Sequence, residues 1–350
     1  MSSPVPQLVL STAPFVKRPV DTPLIMRHVT YSLVPVILAA VYYFGISALL
    51  LLITCTAGCA LTEWLASGRR PLRESSIMDG SAALTGILLA LTLPPGLPLW
   101  MALLGSVAAI LIGKLLCGGL GQNIFNPSLT GRAFLQACFP VAITTWAPFG
   151  GLDGFFNLRG DSFALPFISP SYDALSAATP LARMKFESHP TAIMDLLLGN
   201  VAGSLGETSA VLILLGGAYL AYRRFLNWRI PVGIFIAVFV YASILHGIDP
   251  QKYPQGVFHL LSGGLMLGAV YMATDPVTSP VTPLGSWIFA CGIGILVVTI
   301  RQFGGLPEGV MYSILFMNTL TPLIDRFTQP RLYGTSALPR QTENKNDGGK

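Results

Sequence analysis

The stretch Asp173-Ala-Leu-Ser176-Ala-Ala178-Thr179-Pro180-Leu181 holds the residues best arranged for covalent chemistry. Its hydroxyls, on Ser176 and Thr179, lie among alanines that leave room for a second protein's active site. A threonine hydroxyl attacks a phosphoanhydride only when it is presented on an exposed, extended segment that another enzyme can accept. Pro180 favours that presentation, because proline disfavours helical backbone at the residue before it. Thr179 is the expected acceptor, with Ser176 next.

Other polar residues sit inside apolar sequence. Gly118-Gly-Leu-Gly-Gln-Asn-Ile-Phe-Asn126-Pro127 is neither a GxGxxG turn after a strand nor a P-loop, since no Lys-Ser/Thr follows. It reads either as close helix packing with a break at Asn126-Pro127, or as backbone lining a cavity together with Thr274–Pro276. Lys114 and Glu63 fall near the ends of apolar segments, where a lysine can snorkel to the interface. Asp275 precedes a proline that frees backbone carbonyls. Its carboxylate either binds Na+ or relays a proton, or else caps the next short helix. The four histidines are scattered, and the five cysteines form no CxxC pair and match neither zinc nor cluster spacing. Cys55 and Cys59, four residues apart, read as small buried thiols.

These residues need a membrane scaffold to position them. Of 350 residues, 52% are apolar and 11% charged, where a soluble domain has about a quarter charged. A soluble fold of this length cannot hide so much apolar side chain, so lipid must cover the remainder. The net charge of +5 reflects loops on one side of the membrane rather than nucleic-acid binding, as no basic stripe interleaves with aromatics. Residues 1–24 are polar and Pro-rich without a cleavable signal pattern, so insertion relies on internal helices.

Ten apolar segments follow, at 25–43, 46–66, 79–97, 99–117, 128–147, 209–226, 231–247, 256–273, 285–300 and 308–325. The fold class is all-α and polytopic, with about ten transmembrane helices in two inverted five-helix repeats with broken helices. The repeats span 25–147 and 209–325, joined by an extracytoplasmic loop at 148–208. The N-terminal segment and a tail at 326–350 are cytoplasmic. This arrangement puts 16 of the 21 Lys and Arg residues on the cytoplasmic side, Lys114 and Arg132 among them. Gly86-x5-Thr92-x-Pro94 in segment three matches Gly268-x5-Thr274-x-Pro276 in segment eight, and an odd number of helices per half forces the halves into opposite orientation. The two Thr-x-Pro breaks are expected to meet near the midplane. Segments five and ten also open on prolines, Pro127 and Pro307, as helix starts favour.

The motif D-x-x-S-x-A-T-P-L resembles the flavinylation motif of the D subunit of Rnf-type ferredoxin:NAD+ oxidoreductase complexes, of which the B subunit of the Na+-pumping NADH:quinone oxidoreductase carries a relative. The resemblance extends over most of the chain, through GGLGQNIFNP at 118–127, Leu260-Leu-Ser262-Gly263, Met272-Ala-Thr274-Asp275-Pro276, Phe303-Gly-Gly305 and Pro322-Leu-Ile-Asp325. Ala177 departs from it, since relatives often have Gly or Gln there. The resemblance implies that a flavin transferase takes FMN from FAD and links its phosphate to Thr179, within a motif of Asp173, Ser176 and Ala178. It also implies a second, non-covalent flavin such as riboflavin in a cavity of Asn126, Thr274 and Asp275. Expected partners are the A, B, C, E and G subunits, including the other covalent-FMN subunit, in a bacterial inner membrane. The expected role is an electron relay between ferredoxin and NAD+, coupled to Na+ or H+ translocation. With no nicotinamide site and no cluster ligands, the chain is one part of a translocase and not a complete enzyme. The alternative is an inverted-repeat solute channel of the urea- or ammonium-conductor type, since fold alone does not decide function.

The basic-residue bias predicts topology. A periplasmic reporter fused near Gly160 should be active and one fused after Leu332 inactive; activity in the second would mean an odd number of crossings.

Overall fold

A chain in lipid has no water to satisfy its peptide groups, so it must close its hydrogen bonds within helices or a barrel. This chain uses helices: a computed structural model describes residues 21–68, 76–147, 155–158, 160, 162–166, 178–187, 191–207, 209–250 and 252–330, and no strand occurs among them. It is an all-α polytopic membrane protein. Among the described residues, four helices are long and apolar enough to cross a membrane: α1 (Thr22–Phe44), α2 (Ile46–Ala66), α10 (Arg229–Ile248) and α13 (Pro283–Phe303). Three shorter apolar helices join them, α3 (Ser81–Leu91), α4 (Leu99–Ile110, continued by a π turn at Leu111–Leu115) and α9 (Ala210–Tyr222).

The other expected crossings are broken or more polar. Segment five divides at Phe139 into α5 (Pro127–Cys138) and α6 (Pro140–Thr144). Segment eight is in three pieces, α11 (Gly256–Leu261), α12 (Leu265–Leu267) and a π turn at Gly268–Met272. The last helix, α14 (Val310–Thr328), contains Pro322. Between the halves lie α7 (Pro180–Glu187) and α8 (Ile193–Leu198). Short sequence signals set several starts. Asn126, Ser209 and Thr282 each accept a backbone N–H at a helix N-terminus, and Pro127 and Pro283 follow as first residues. Pro307 does not fit the expected pattern: α14 begins at Val310 with Gly309 before it. The turn around Pro307 is held instead by side chains of other elements, Lys185 on the Leu306 carbonyl and Arg132 on Glu308.

Packing recurs between the halves. In the first, α2 packs on α3 and α4, and α4 on α5; in the second, α10 packs on α11 and α13, and α13 on α14. Across the halves, α1 meets α9 and α5 meets α14, so corresponding helices face one another. Gly86 permits the closest approach of α2 and α3, since a Cβ there would lie 2.6 Å from the Cys55 carbonyl oxygen.

Lys114 and Glu63 do not snorkel. Their side chains are 3% and 0% exposed, and the Lys114 ammonium donates to both Glu63 carboxylate oxygens, at 2.7 and 2.8 Å, and to Ser81 Oγ at 2.8 Å. Three acceptors match the three donors of an ammonium, so the pair ties α2, α3 and the π turn after α4 together. Glu63→Ala would leave a buried, uncompensated charge and should lower stability by about 3–5 kcal/mol, read as a lower thermal midpoint in detergent. Glu63→Ala with Lys114→Met should recover most of that loss; no recovery would show that the pair is not the source.

Candidate functional site

On the face that carries the 148–208 loop, a cavity of about 370 Å³ is walled by α5, α6, α7 and the start of α14. Thr179 lines it. Pro180 is the first residue of α7, whose fixed φ suits a helix start. Thr179 therefore becomes the residue before the helix: its Oγ1 accepts from the Ala182 N–H at 3.2 Å and its carbonyl from the Arg183 N–H at 2.9 Å. Folding leaves Thr179 only 8% exposed, which corrects the expectation of an exposed, extended hydroxyl. Pro180 does keep Thr179 out of the helix, yet it starts one of its own, which Thr179 caps from the cavity wall. Ala178 is exposed. Asp173 and Ser176 lie outside the described residues.

The remaining walls are charged in an ordered way. Arg132 of α5 pairs with Glu308 at 2.9 Å, and the second oxygen of Glu308 accepts the Gly264 N–H at 2.6 Å. Gly263 has φ +69, and a Cβ there would lie 2.7 Å from Leu181 and 3.3 Å from Glu308 Oε1, so this corner takes glycine on both counts. Glu207 also lines the cavity and accepts from Ser204 Oγ at 2.8 Å. Behind it, Arg301 donates to the carbonyls of His259 (2.6 Å) and Ser262 (2.9 Å), groups freed where segment eight breaks. Lys185 of α7 donates to the carbonyls of Arg301, Gly304 and Leu306 at 2.8, 2.5 and 3.1 Å. It binds the Thr179 helix to the turn that holds Glu308, and partial burial pulls its ammonium below the usual lysine range.

Arg132 does not share a face with Lys114, contrary to the basic-residue count. Helix α5 is only 12 residues long and starts inside the bundle at Asn126, so its second turn reaches the loop-side cavity. Glu207, Glu308, Arg301 and Lys185 carry no motif that sequence reasoning picks out. The available signal is a pair of opposite charges, Arg132 and Glu308, inside segments five and ten.

On the opposite face a second, smaller cavity of about 90 Å³ gathers Asn126, Thr274 and Asp275 with Ser81, Lys114 and Asn123. Asn126 does two jobs there. Its Oδ1 accepts from the Ser128 N–H at 3.0 Å and the Leu129 N–H at 3.4 Å, and its Nδ2 donates to the Met272 carbonyl at 3.1 Å. The glycines at 118, 119 and 121 all have positive φ, as a tight loop into Asn126 needs. Asp275 accepts from the Val277 N–H at 3.3 Å and the Thr278 hydroxyl at 3.4 Å, a local cap that still borders the cavity. Thr92 and Thr274 each donate back to a carbonyl of the helix they end, Leu89 and Val270. The two breaks line different cavities, however. Thr92 lies in a small pocket with Arg132 and Glu308, and Thr274 in the pocket with Lys114. Helix α5 and the π turn at Gly268–Met272 stand between them and border both pockets.

Fold and sites together define a polytopic α-helical membrane protein with one cavity towards each face and a threonine from the connecting loop in one of them. The NQR2, RnfD, RnfE family profile matches residues 9–334, and the chain belongs to that family. It is 45% identical to the D subunit of the ion-translocating oxidoreductase complex of Stutzerimonas stutzeri, over 89% of this chain and 92% of that protein. It is 41% identical to the D subunit of the proton-translocating ferredoxin:NAD(+) oxidoreductase complex of Clostridium ljungdahlii, over 93% of this chain and 96% of that protein. With the D subunit of the Na(+)-translocating ferredoxin:NAD(+) oxidoreductase complex of Acetobacterium woodii, identity is 39% over 96% and 98%.

Asn126 joins the first half to the break in the second, and both its roles are lost together in Asn126→Ala. A lost helix cap and an orphaned buried carbonyl should each cost about 1–2 kcal/mol. Thermal unfolding in detergent should show both losses together, about 2–4 kcal/mol, and an unchanged midpoint would mean that neither contact contributes to stability.

Proposed function

We propose that this chain is the flavin-bearing D subunit of an ion-translocating ferredoxin:NAD+ oxidoreductase complex, with FMN joined to Thr179 through a phosphoester. The observation that carries this reading is that Thr179, within the sequence D-x-x-S-x-A-T-P-L, lines the 370 Å³ cavity. A cavity of that size lies in the range of small-molecule sites. Its walls suit a flavin: Trp146, Phe186, Leu306 and Met311 offer apolar and aromatic surface, and Arg132, Glu207 and Glu308 supply a few polar groups. The start of α7 suits the phosphate, since helix N-termini favour anions.

The attachment is balanced as a group transfer. The Thr179 hydroxyl attacks the FMN phosphorus of FAD in the active site of a flavin transferase, the pyrophosphate bond breaks, AMP leaves, and the hydroxyl proton passes to the transferase or to water. Because the folded protein buries Thr179, the hydroxyl is delivered before α7 docks or during its opening. Once attached, the flavin supplies one- and two-electron redox chemistry. The chain's own residues hold it in place: Lys185 fixes α7 against the 301–306 turn, and the Arg132–Glu308 pair keeps the far wall charged and closed.

In the same reading the loop face is extracytoplasmic and both termini are cytoplasmic, in a bacterial inner membrane. Electrons pass to and from the other subunits of the complex, the second covalent-FMN subunit among them. The cavity of Asn126, Thr274 and Asp275, at about 90 Å³, falls below the range of small-molecule sites and suits the coupling ion, Na+ or H+, better than a second flavin. The solute-channel alternative has no supporting observation, and membership of the family weighs against it.

The test is direct. Protein made with an active flavin transferase should fluoresce under ultraviolet light in a denaturing gel, and Thr179→Val should abolish the band at unchanged expression. Asp173→Ala should weaken it. Fluorescence persisting in Thr179→Val would overturn the assignment and move attachment to Ser176.

A further inference from the structure

Glu207 is the acid on the cavity wall that the fold leaves without a counter-ion. It sits in the 3-10 turn Leu205–Glu207 just before α9. Among the described residues it makes no ion pair, whereas Glu308 nearby is held by Arg132 at 2.9 Å and by the Gly264 N–H at 2.6 Å. The partner of Glu207 is a neutral donor, Ser204 Oγ, at 2.8 Å. The two carboxylates are close: a Cβ on Gly264 would lie 2.8 Å from Glu308 Oε1 and 3.8 Å from Glu207 Oε1.

The charged groups facing Glu207 come from three elements. Arg132 of α5 is committed to Glu308. Arg301 of α13 donates to the His259 and Ser262 carbonyls but keeps its positive charge, which with that of Arg132 favours the Glu207 carboxylate. Glu308, before α14, repels a second negative charge, and Tyr312 of α14 adds a phenol to the wall. Burial and the Glu308 carboxylate hold the Glu207 carboxyl above the usual carboxylate range. An acid in that setting exchanges its proton in response to small changes of local charge, because a nearby charge acts strongly where water is excluded.

Resting on the reading of the Thr179 cavity as a flavin site, we propose that Glu207 is the proton acceptor of that cavity, protonated as the cavity gains an electron and deprotonated as the electron leaves. The electron comes from the reduced donor of the complex. The proton comes from water on the loop face and binds a carboxylate oxygen of Glu207, turning carboxylate to carboxylic acid. One negative and one positive charge enter together, so the cavity's net charge is unchanged; oxidation reverses both. Arg132 and Glu308 cannot serve in its place, since each neutralises the other.

The experiment is a spectroelectrochemical titration of the covalent flavin in the full chain, repeated over a pH series, with wild type, Glu207→Gln and Ser204→Ala. Glutamine keeps the shape and the oxygen that accepts from Ser204 but cannot take a proton. In wild type the midpoint potential should fall as pH rises, from the pH where Glu207 titrates with the cavity oxidised to the higher pH where it titrates with the cavity reduced. Glu207→Gln should lose that contribution and give a flatter curve in that window. In Ser204→Ala the hydrogen bond that favours the carboxylate is gone, so the window should move to higher pH. A merely structural glutamate would produce neither change. Glu207→Gln carrying covalent flavin with the wild-type pH dependence would overturn the proposal while leaving flavin attachment standing. Wild type without covalent flavin would sink the reading of the cavity and this inference with it. If Glu207→Gln fails to accumulate, Glu207→Asp replaces it: a pH window displaced from that of wild type supports the carboxyl role, and an unmoved window refutes it.

Discussion

A break in a membrane helix exposes carbonyls and amides that lipid cannot satisfy, and this architecture rests on side chains that satisfy them from elsewhere in the chain. The Met272 carbonyl takes its donor from Asn126, across the two halves. The His259 and Ser262 carbonyls take theirs from Arg301, and the Gly264 N–H finds the Glu308 carboxylate. Carbonyls between α13 and α14 converge on Lys185. Each contact lets backbone leave the helix at depth, and irregular backbone at depth is what gives a membrane protein cavities with polar walls.

The same contacts explain why the buried charges fall into two sets. Lys114, Glu63 and Ser81 close one corner completely, with every donor of the ammonium matched. Such a set is rigid and has no free valence for a ligand. Around the Thr179 cavity the matching is looser: Arg132 and Glu308 form an ion pair, Arg301 gives its hydrogen bonds to carbonyls, and the hydrogen-bond partner of Glu207 is a serine. Residual acidity beside a cavity is the condition under which a protein can answer a change of charge within it.

The placement of Thr179 links local backbone chemistry to the site. A proline in the first position of α7 is ordinary for a helix start. Here it also sets the preceding threonine to cap the helix, so a group on that oxygen would meet the positive end of α7 and the mouth of the cavity together. Lys185, further along α7, then anchors the helix to the turn that carries Glu308.

Much of this is legible in the sequence because lipid imposes strong one-dimensional patterns. Apolar runs with 11% charge declare an all-α membrane protein, and Asn126-Pro127 declares a helix start. The family resemblance implies the gathering of Asn126, Thr274 and Asp275, and one small cavity does bring the three together. What tertiary structure alone decides is pairing. Arg132 and Glu308 lie 176 residues apart and Lys114 and Glu63 lie 51 apart, and no local pattern links either pair. Composition places a charge in a segment, but which side of the bundle it reaches depends on where a short helix starts and what stands opposite. For that reason sequence alone puts Arg132 on the wrong face, Pro307 in the wrong role and Thr179 on an exposed segment, and it gives no sign of Glu207.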